Sequence, residues 1–169
     1  MENKARVYNL FLTNSFPEKL FIKKFGQDLF DKLQNHAFII DNGRCASCGH
    51  EPPEHKKKTH LFYHIFDINE SEPELTKGVT LCKMCHLTQH VESAIKKDWV
   101  ILVNSIYNQN NLIRLVRSGQ IYGAMGQRAV VKLKKTPQDF LDEWKTGKKS
   151  ITQTIKVVFN EKFVIDDLY

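Results

Sequence analysis

The sequence predicts a small α+β protein: a zinc-bracketed ββα core, an N-terminal helix before it and a C-terminal mixed helix and hairpin extension after it. Three observations carry that expectation. Four cysteines fall as two Cys-x-x-Cys pairs, Cys45/Cys48 and Cys82/Cys85, with 33 residues between the pairs. Apolar residues recur at helical spacing before the first pair, and two runs of β-formers lie between the pairs. The chain has 169 residues, 41% of them hydrophobic and 26% charged, which suits one medium domain or a small core with an appendage.

The elements follow in order. Val7, Leu10, Phe11 and Leu12 allow a short helix in residues 1–13. Asn14-Ser15-Phe16-Pro17 reads as a helix start, with Ser15 or Asn14 capping and Pro17 near the first position. Leu20, Phe21, Phe25, Leu29, Phe30 and Leu33 then recur at helical spacing to about Gln34, as one helix that Gly26 weakens without breaking. Its phenylalanine stripe reads as core. Ala37–Ile40 is an apolar run leading into an Asp41-Asn42-Gly43 turn. His50–Pro53 is loop, Glu54–Lys58 a polar, basic stretch, Thr59–Phe66 a strand, Asp67–Glu74 an acidic loop and Lys77–Leu81 a second strand. His86–Lys97 reads as a helix.

Beyond it, dense apolar Trp99–Tyr107 reads as a buried helix capped by Asp98. Asn111–Arg117 reads as a short helix stopped by Gly119, and Ala129–Lys135 as a strand. Thr136-Pro137 opens a helix with Phe140, Leu141 and Trp144 on one face and Gly147 after its end. Ile151–Phe159 and Lys162–Ile165 suggest a closing hairpin turning at Asn160-Glu161. The expected organisation is a helical segment over 1–37, a zinc-bound core over 38–97 and a basic α/β extension over 98–169.

Two residues between cysteines let both sulfurs of a turn face one ion, and two such knuckles complete a tetrahedron. Disulfides are the rival use of four cysteines, but nothing in the sequence suggests an oxidising compartment. The longest apolar stretch, Trp99–Val103, is far shorter than the ~20 residues of a membrane span. No charged-then-apolar leader opens the sequence, so a cytoplasmic location is expected.

Charge is localised. Residues 1–113 hold 14 Lys/Arg against 13 Asp/Glu, residues 150–169 hold 2 against 3, and residues 114–149 hold 9 against 3. That last window alone equals the net charge of +6. Arg114, Arg117, Arg128, Lys132, Lys134 and Lys135 are the candidate contacts to a polyanion such as nucleic acid. A solvated helix face would show the same composition.

Strand, loop, strand, knuckle and helix inside a zinc bracket form the setting of one kind of nuclease site. His86 and His90 are four apart, so on a helix they share a face and can both ligate a divalent ion. His64, 22 residues before His86, can face the same ion across the hairpin. A neutral imidazole there takes a proton from water attacking a phosphodiester. The plainer alternatives are a helix-packing role for His86 and His90 and an ordinary strand histidine at His64. His36, His50 and His55 have no partner by spacing.

At these residues the sequence resembles the HNH endonucleases, the zinc-bracketed ββα-metal family common in phages and mobile elements. Asp41-Asn42-Gly43-Arg44-Cys45-Ala46-Ser47-Cys48-Gly49 resembles that family's first knuckle. Tyr63-His64-Ile65 is similar to its Asp-His-Ile or His-His-Ile signature, and Gly78-Val79-Thr80-Leu81-Cys82-Lys83-Met84-Cys85-His86 to its second knuckle. The resemblance spans residues 38–97. It implies a metal-dependent DNA nuclease with His64 as general base, His86 and His90 on a catalytic Mg²⁺ or other divalent ion, and a structural zinc on the four cysteines. Two positions differ. Tyr63 stands where the family has an Asp or His that helps hold the metal, and Lys77 where it usually has a central Asn. His60 or Asp67 is then the expected substitute ligand. A degenerate zinc module that binds nucleic acid or a host protein is the alternative expectation.

Overall fold

Gly26 shapes the start of the fold. The computed structural model describes residues 16–119, 131–148, 154–160 and 163. Pro17–Phe25 (α1) and Gln27–Ile40 (α2) are separate helices, because Gly26 takes φ 94° and ψ 158°, outside the helical region. The single helix expected from the periodicity is therefore two. The break lets Phe21 and Phe30, 6.5 Å apart, join one core with Ala37, Tyr63 and Ile65. Phe16 is the N-cap residue of α1 and Pro17 sits in its first turn; the expected caps Asn14 and Ser15 lie outside the described residues, as does the segment 1–13.

Two compact units follow from the contacts, with the division between His86 and Leu87. In the first, Lys57–His60 (α3) precedes β1 (Leu61–Asp67), which pairs antiparallel with β2 (Lys77–Cys82). Thr59 and His60, expected in the strand, belong to α3. The register sets Tyr63 opposite Thr80, His64 opposite Val79 and Ile65 opposite Gly78, with an irregularity at Phe66. Alternation along β1 puts Tyr63 and His64 on opposite faces. Tyr63 packs edge-on against Phe30 at 5.5 Å between ring centres. Gly78 makes room for it, since a Cβ there would lie 2.4 Å from the tyrosine ring.

Lys83–Gln89 (α4) follows β2 directly, and Val91–Lys96 (α5) follows after a break at His90. The expected helix over 86–97 is thus interrupted.

In the second unit the run expected as a buried helix is a strand, Val100–Asn104 (β3). It is the centre of a three-stranded antiparallel sheet between Val131–Lys132 (β4) and Ile155–Phe159 (β5). Short apolar runs do not distinguish helix from strand, and here β-branched Val100 and Ile101 pair with β5 while Val103 pairs with both β4 and β5. Asp98 does not cap a helix; it takes a left-handed φ of 54° ahead of the strand. Gln109–Arg117 (α6) is capped by Asn108 and ends before Gly119, whose φ is 72°. The Gln109 side chain donates to the Val157 carbonyl and accepts from its N–H, extending the ladder on the free edge of β5. Pro137–Lys145 (α7) is capped by Thr136 and buries Phe140 and Leu141, as the sequence indicates. Strand β5 pairs with β3 rather than with the expected hairpin partner. Of that partner only Phe163 is described, and its N–H donates to Asn160 Oδ1.

Glu92 on α5 is buried and takes ion pairs from Lys96 and from Lys145 on α7. Burial pushes its carboxyl pKa up, but the two ammonium groups more than offset this and hold it below the ordinary range. A lowered folded-state pKa stabilises above the unfolded value of ~4.3, and the stabilisation is lost as pH falls through the folded value. Glu92→Gln should therefore lower the urea midpoint at pH 7 and lower it much less near pH 3. Equal losses at both pH values would contradict this role.

Gly78→Ala should cost roughly 1–3 kcal/mol by overpacking against Tyr63. A second change, Tyr63→Val, should make the pair cost less than the sum of the single changes in urea unfolding. Strict additivity would show that the two positions do not share that space.

Candidate functional site

The first knuckle is assembled by the turn that ends α2. Asn42 and Gly43 take left-handed φ values of 53° and 64°, and Asp41 Oδ2 accepts from the Thr80 N–H at 2.7 Å. Within the knuckle the Cys48 N–H points at Cys45 Sγ (3.5 Å), and Gly49, with φ 77°, donates to the Cys45 carbonyl. The Ala46 N–H donates to the Thr80 carbonyl at 2.8 Å, tying the knuckle to β2. Cys82 ends β2 and Cys85 lies in the first turn of α4.

All four cysteines are buried, with their sulfurs within 4.8 Å of one another. Cys48 Sγ and Cys82 Sγ are 3.7 Å apart. Sulfurs ~2.3 Å from one tetrahedral zinc stand ~3.8 Å from each other, whereas a disulfide needs ~2.05 Å. The cluster has the dimensions of a zinc site. Burial pushes the Cys45 thiol pKa up, and the surrounding thiols, Cys45 first, push that of Cys85 up. That of Cys48 is lowered, first by its hydrogen bond with Cys45. A divalent cation at the centre reverses that balance, because coordinated thiols ionise outright. The four cysteines can therefore hold a structural zinc.

Immediately beside Cys85, His86 opens a second cluster. Its ring stacks on Phe62 of β1 (5.4 Å, 12°) and meets that of His64 edge-on at 5.5 Å. Glu18, in the first turn of α1, brings a buried carboxylate to both. Oε1 accepts from the Ile65 N–H at 3.0 Å and lies 3.1 Å from His64 Nδ1 and 3.7 Å from His86 Nε2. Burial pushes the Glu18 pKa up, yet the hydrogen bonds with His64 and His86 outweigh it and hold the carboxyl well below its usual range. His90, four residues beyond His86 and just past the end of α4, is buried. Glu18, His64 and His86 have potential donor atoms all within 4.8 Å of one another, and His90 belongs to the second unit.

Sequence reading did not single out Glu18. Its signal was available: three and seven residues before Phe21 and Phe25, it is a carboxylate on an otherwise apolar helix stripe.

The two substitute ligands expected from the sequence stand elsewhere. His60 lies in α3, where its Nδ1 contacts Thr59 Oγ1 and the Lys56 carbonyl, and Asp67 is exposed. Tyr63 is not in the histidine cluster at all, since it faces α2. Burial, then the charge of Glu18, push its hydroxyl pKa up to about 12, so it is a neutral phenol. Lys77 is exposed at the start of β2, opposite Asp67.

Of the basic candidates, Arg114 is exposed and Arg117 half-buried on α6, and Lys132, Lys134 and Lys135 form an exposed run at and after β4. Lys135 pairs with Glu143, so part of the charge in this window is used within the fold. Arg128 lies outside the described residues.

No family model matches the sequence, and no curated protein matches it. Among the described residues no helix is long and apolar enough to cross a membrane.

One tightly held zinc per chain is expected. Elemental analysis should find it, and Cys82→Ala should release it together with most of the thermal stability, given that such ions contribute ~10–16 kcal/mol of apparent binding free energy. A metal-free protein that melts cooperatively at the same temperature would contradict the assignment.

Proposed function

We propose that the chain is a metal-dependent nuclease of the HNH type that hydrolyses DNA phosphodiester bonds, with its catalytic centre on β1 and α4. The observation that carries this reading is the meeting of His64 and His86, rings 5.5 Å apart, directly beside a four-cysteine site. A strand histidine and a helix histidine are thereby held by the same bracket that closes the knuckles.

His64 is the general base, taking a proton from the attacking water. His86 and His90 would hold a divalent ion, which when bound stabilises charge on the scissile phosphate and on the leaving oxygen. Imidazole ligands favour ions such as Zn²⁺ or Ni²⁺ over Mg²⁺, which prefers oxygen. Lys132 and Lys134, with Arg114, supply phosphate contacts that position the duplex without reading its sequence. Tyr63 faces the core and brings no ligand to the histidines, which favours the second reading, a zinc-braced module that binds nucleic acid or a partner protein without cutting it.

His64→Ala should abolish cleavage of plasmid DNA while zinc content and DNA affinity stay unchanged. His86→Ala should remove cleavage together with binding of the second metal. If the wild type cuts no DNA with Mg²⁺, Mn²⁺ or Ni²⁺, the binding module replaces the nuclease.

Charge reversal tests the DNA surface separately. Lys132→Glu with Lys134→Glu should weaken binding to all sequences alike and flatten the dependence of log K on log salt by ~2. An unchanged salt slope would take these lysines out of the interface.

A further inference from the structure

We propose that Glu18 is the positioning residue of the site, holding the proton of His64 on Nδ1 so that Nε2 is its basic nitrogen. The proposal deepens the nuclease reading and rests on the assignment of His64 as base. Glu18 lies on the stripe of α1 that otherwise buries Phe21, and it is only 7% exposed. A carboxylate in such a place is costly unless its oxygens are held, and Glu18 is held by β1.

Oxygen Oε1 accepts from the Ile65 backbone N–H at 3.0 Å, a contact that fixes its place against the strand independently of any histidine. The same oxygen lies 3.1 Å from Nδ1 of the preceding residue, His64. An ionised carboxylate can only accept, so His64 Nδ1 carries the hydrogen and donates it. In a neutral imidazole the other nitrogen, Nε2, is then a bare acceptor. Edge contact with the His86 ring, itself stacked on Phe62, limits rotation of His64 about its own axis. Helix α1 is therefore part of the site, since it delivers the group that selects the tautomer and the orientation of the base.

The test is ¹H–¹⁵N correlation of the histidine rings in the full-length, zinc-loaded protein, together with the kinetics of Glu18→Gln. His64 should show a protonated Nδ1 and a bare Nε2. The opposite tautomer in the wild type would overturn the proposal, and this arm needs no variant. Glu18→Gln keeps an acceptor for the Ile65 N–H, so zinc content should be unchanged. Its kcat should fall by a large part of what a general base contributes, on the order of 10²–10⁴-fold, with KM for DNA changed less than about twofold. Cleavage by Glu18→Gln at the wild-type rate would overturn the proposal while leaving the nuclease reading intact. If the wild type cuts no DNA, the nuclease reading fails by itself, and the His64 tautomer still decides whether Glu18 positions that ring.

Discussion

The meeting of two knuckles, Cys45/Cys48 and Cys82/Cys85, in a cluster that can hold one ion is the constraint on which the first unit depends. Among the described residues the β1–β2 sheet has two strands, and such a hairpin is marginal in water without further support. Helices α1 and α2 cover one of its faces with Phe21, Phe30 and Ala37. At the other end, the knuckle is bonded to Thr80 through Ala46 and Asp41, while Cys82 closes β2 and Cys85 starts α4. A bound zinc of ~10–16 kcal/mol exceeds what any single hydrogen bond or apolar contact in the hairpin provides. His86 follows Cys85 directly, so an ion held by the four cysteines would also tie down the start of α4 next to its first histidine.

Local chemistry was the legible part of the sequence. Cysteine spacing identified the four thiols that the structure brings together, and strand and helix order placed His64 and His86 near each other. What escaped depends on contacts distant along the chain. Glu18 reaches His64 across 46 residues, and from sequence it reads as one more polar residue in a helix. Val100–Asn104 looks equally like a buried helix until its partners are known, and β5 begins some fifty residues later. Gly26 was visible but misjudged, because a glycine merely tolerated in a helix and one that ends it look the same in a periodic pattern.

Tyr63 shows how strand alternation recasts a substitution. Beside His64 in sequence, it stands on the opposite face, inside a core that Gly78 opens for its ring. A carboxylate at position 63 would be buried against Phe30, not delivered to the histidines. The carboxylate that meets the histidines is Glu18 of α1, so the helix that shields the hairpin also reaches its other face. Charge bookkeeping changes in the same way. Lys135 and Lys145 answer Glu143 and Glu92 within the second unit, so part of the positive charge of residues 114–149 is taken up inside the fold.

Zinc-edge X-ray absorption on the full chain, loaded with a single equivalent of zinc, tests the central constraint most directly. Four sulfurs at ~2.3 Å with no nitrogen in the first shell is the expected result. A shell containing histidine nitrogen or carboxylate oxygen would mean that the strongest metal site is the Glu18 cluster, and that the four cysteines do not close the fold.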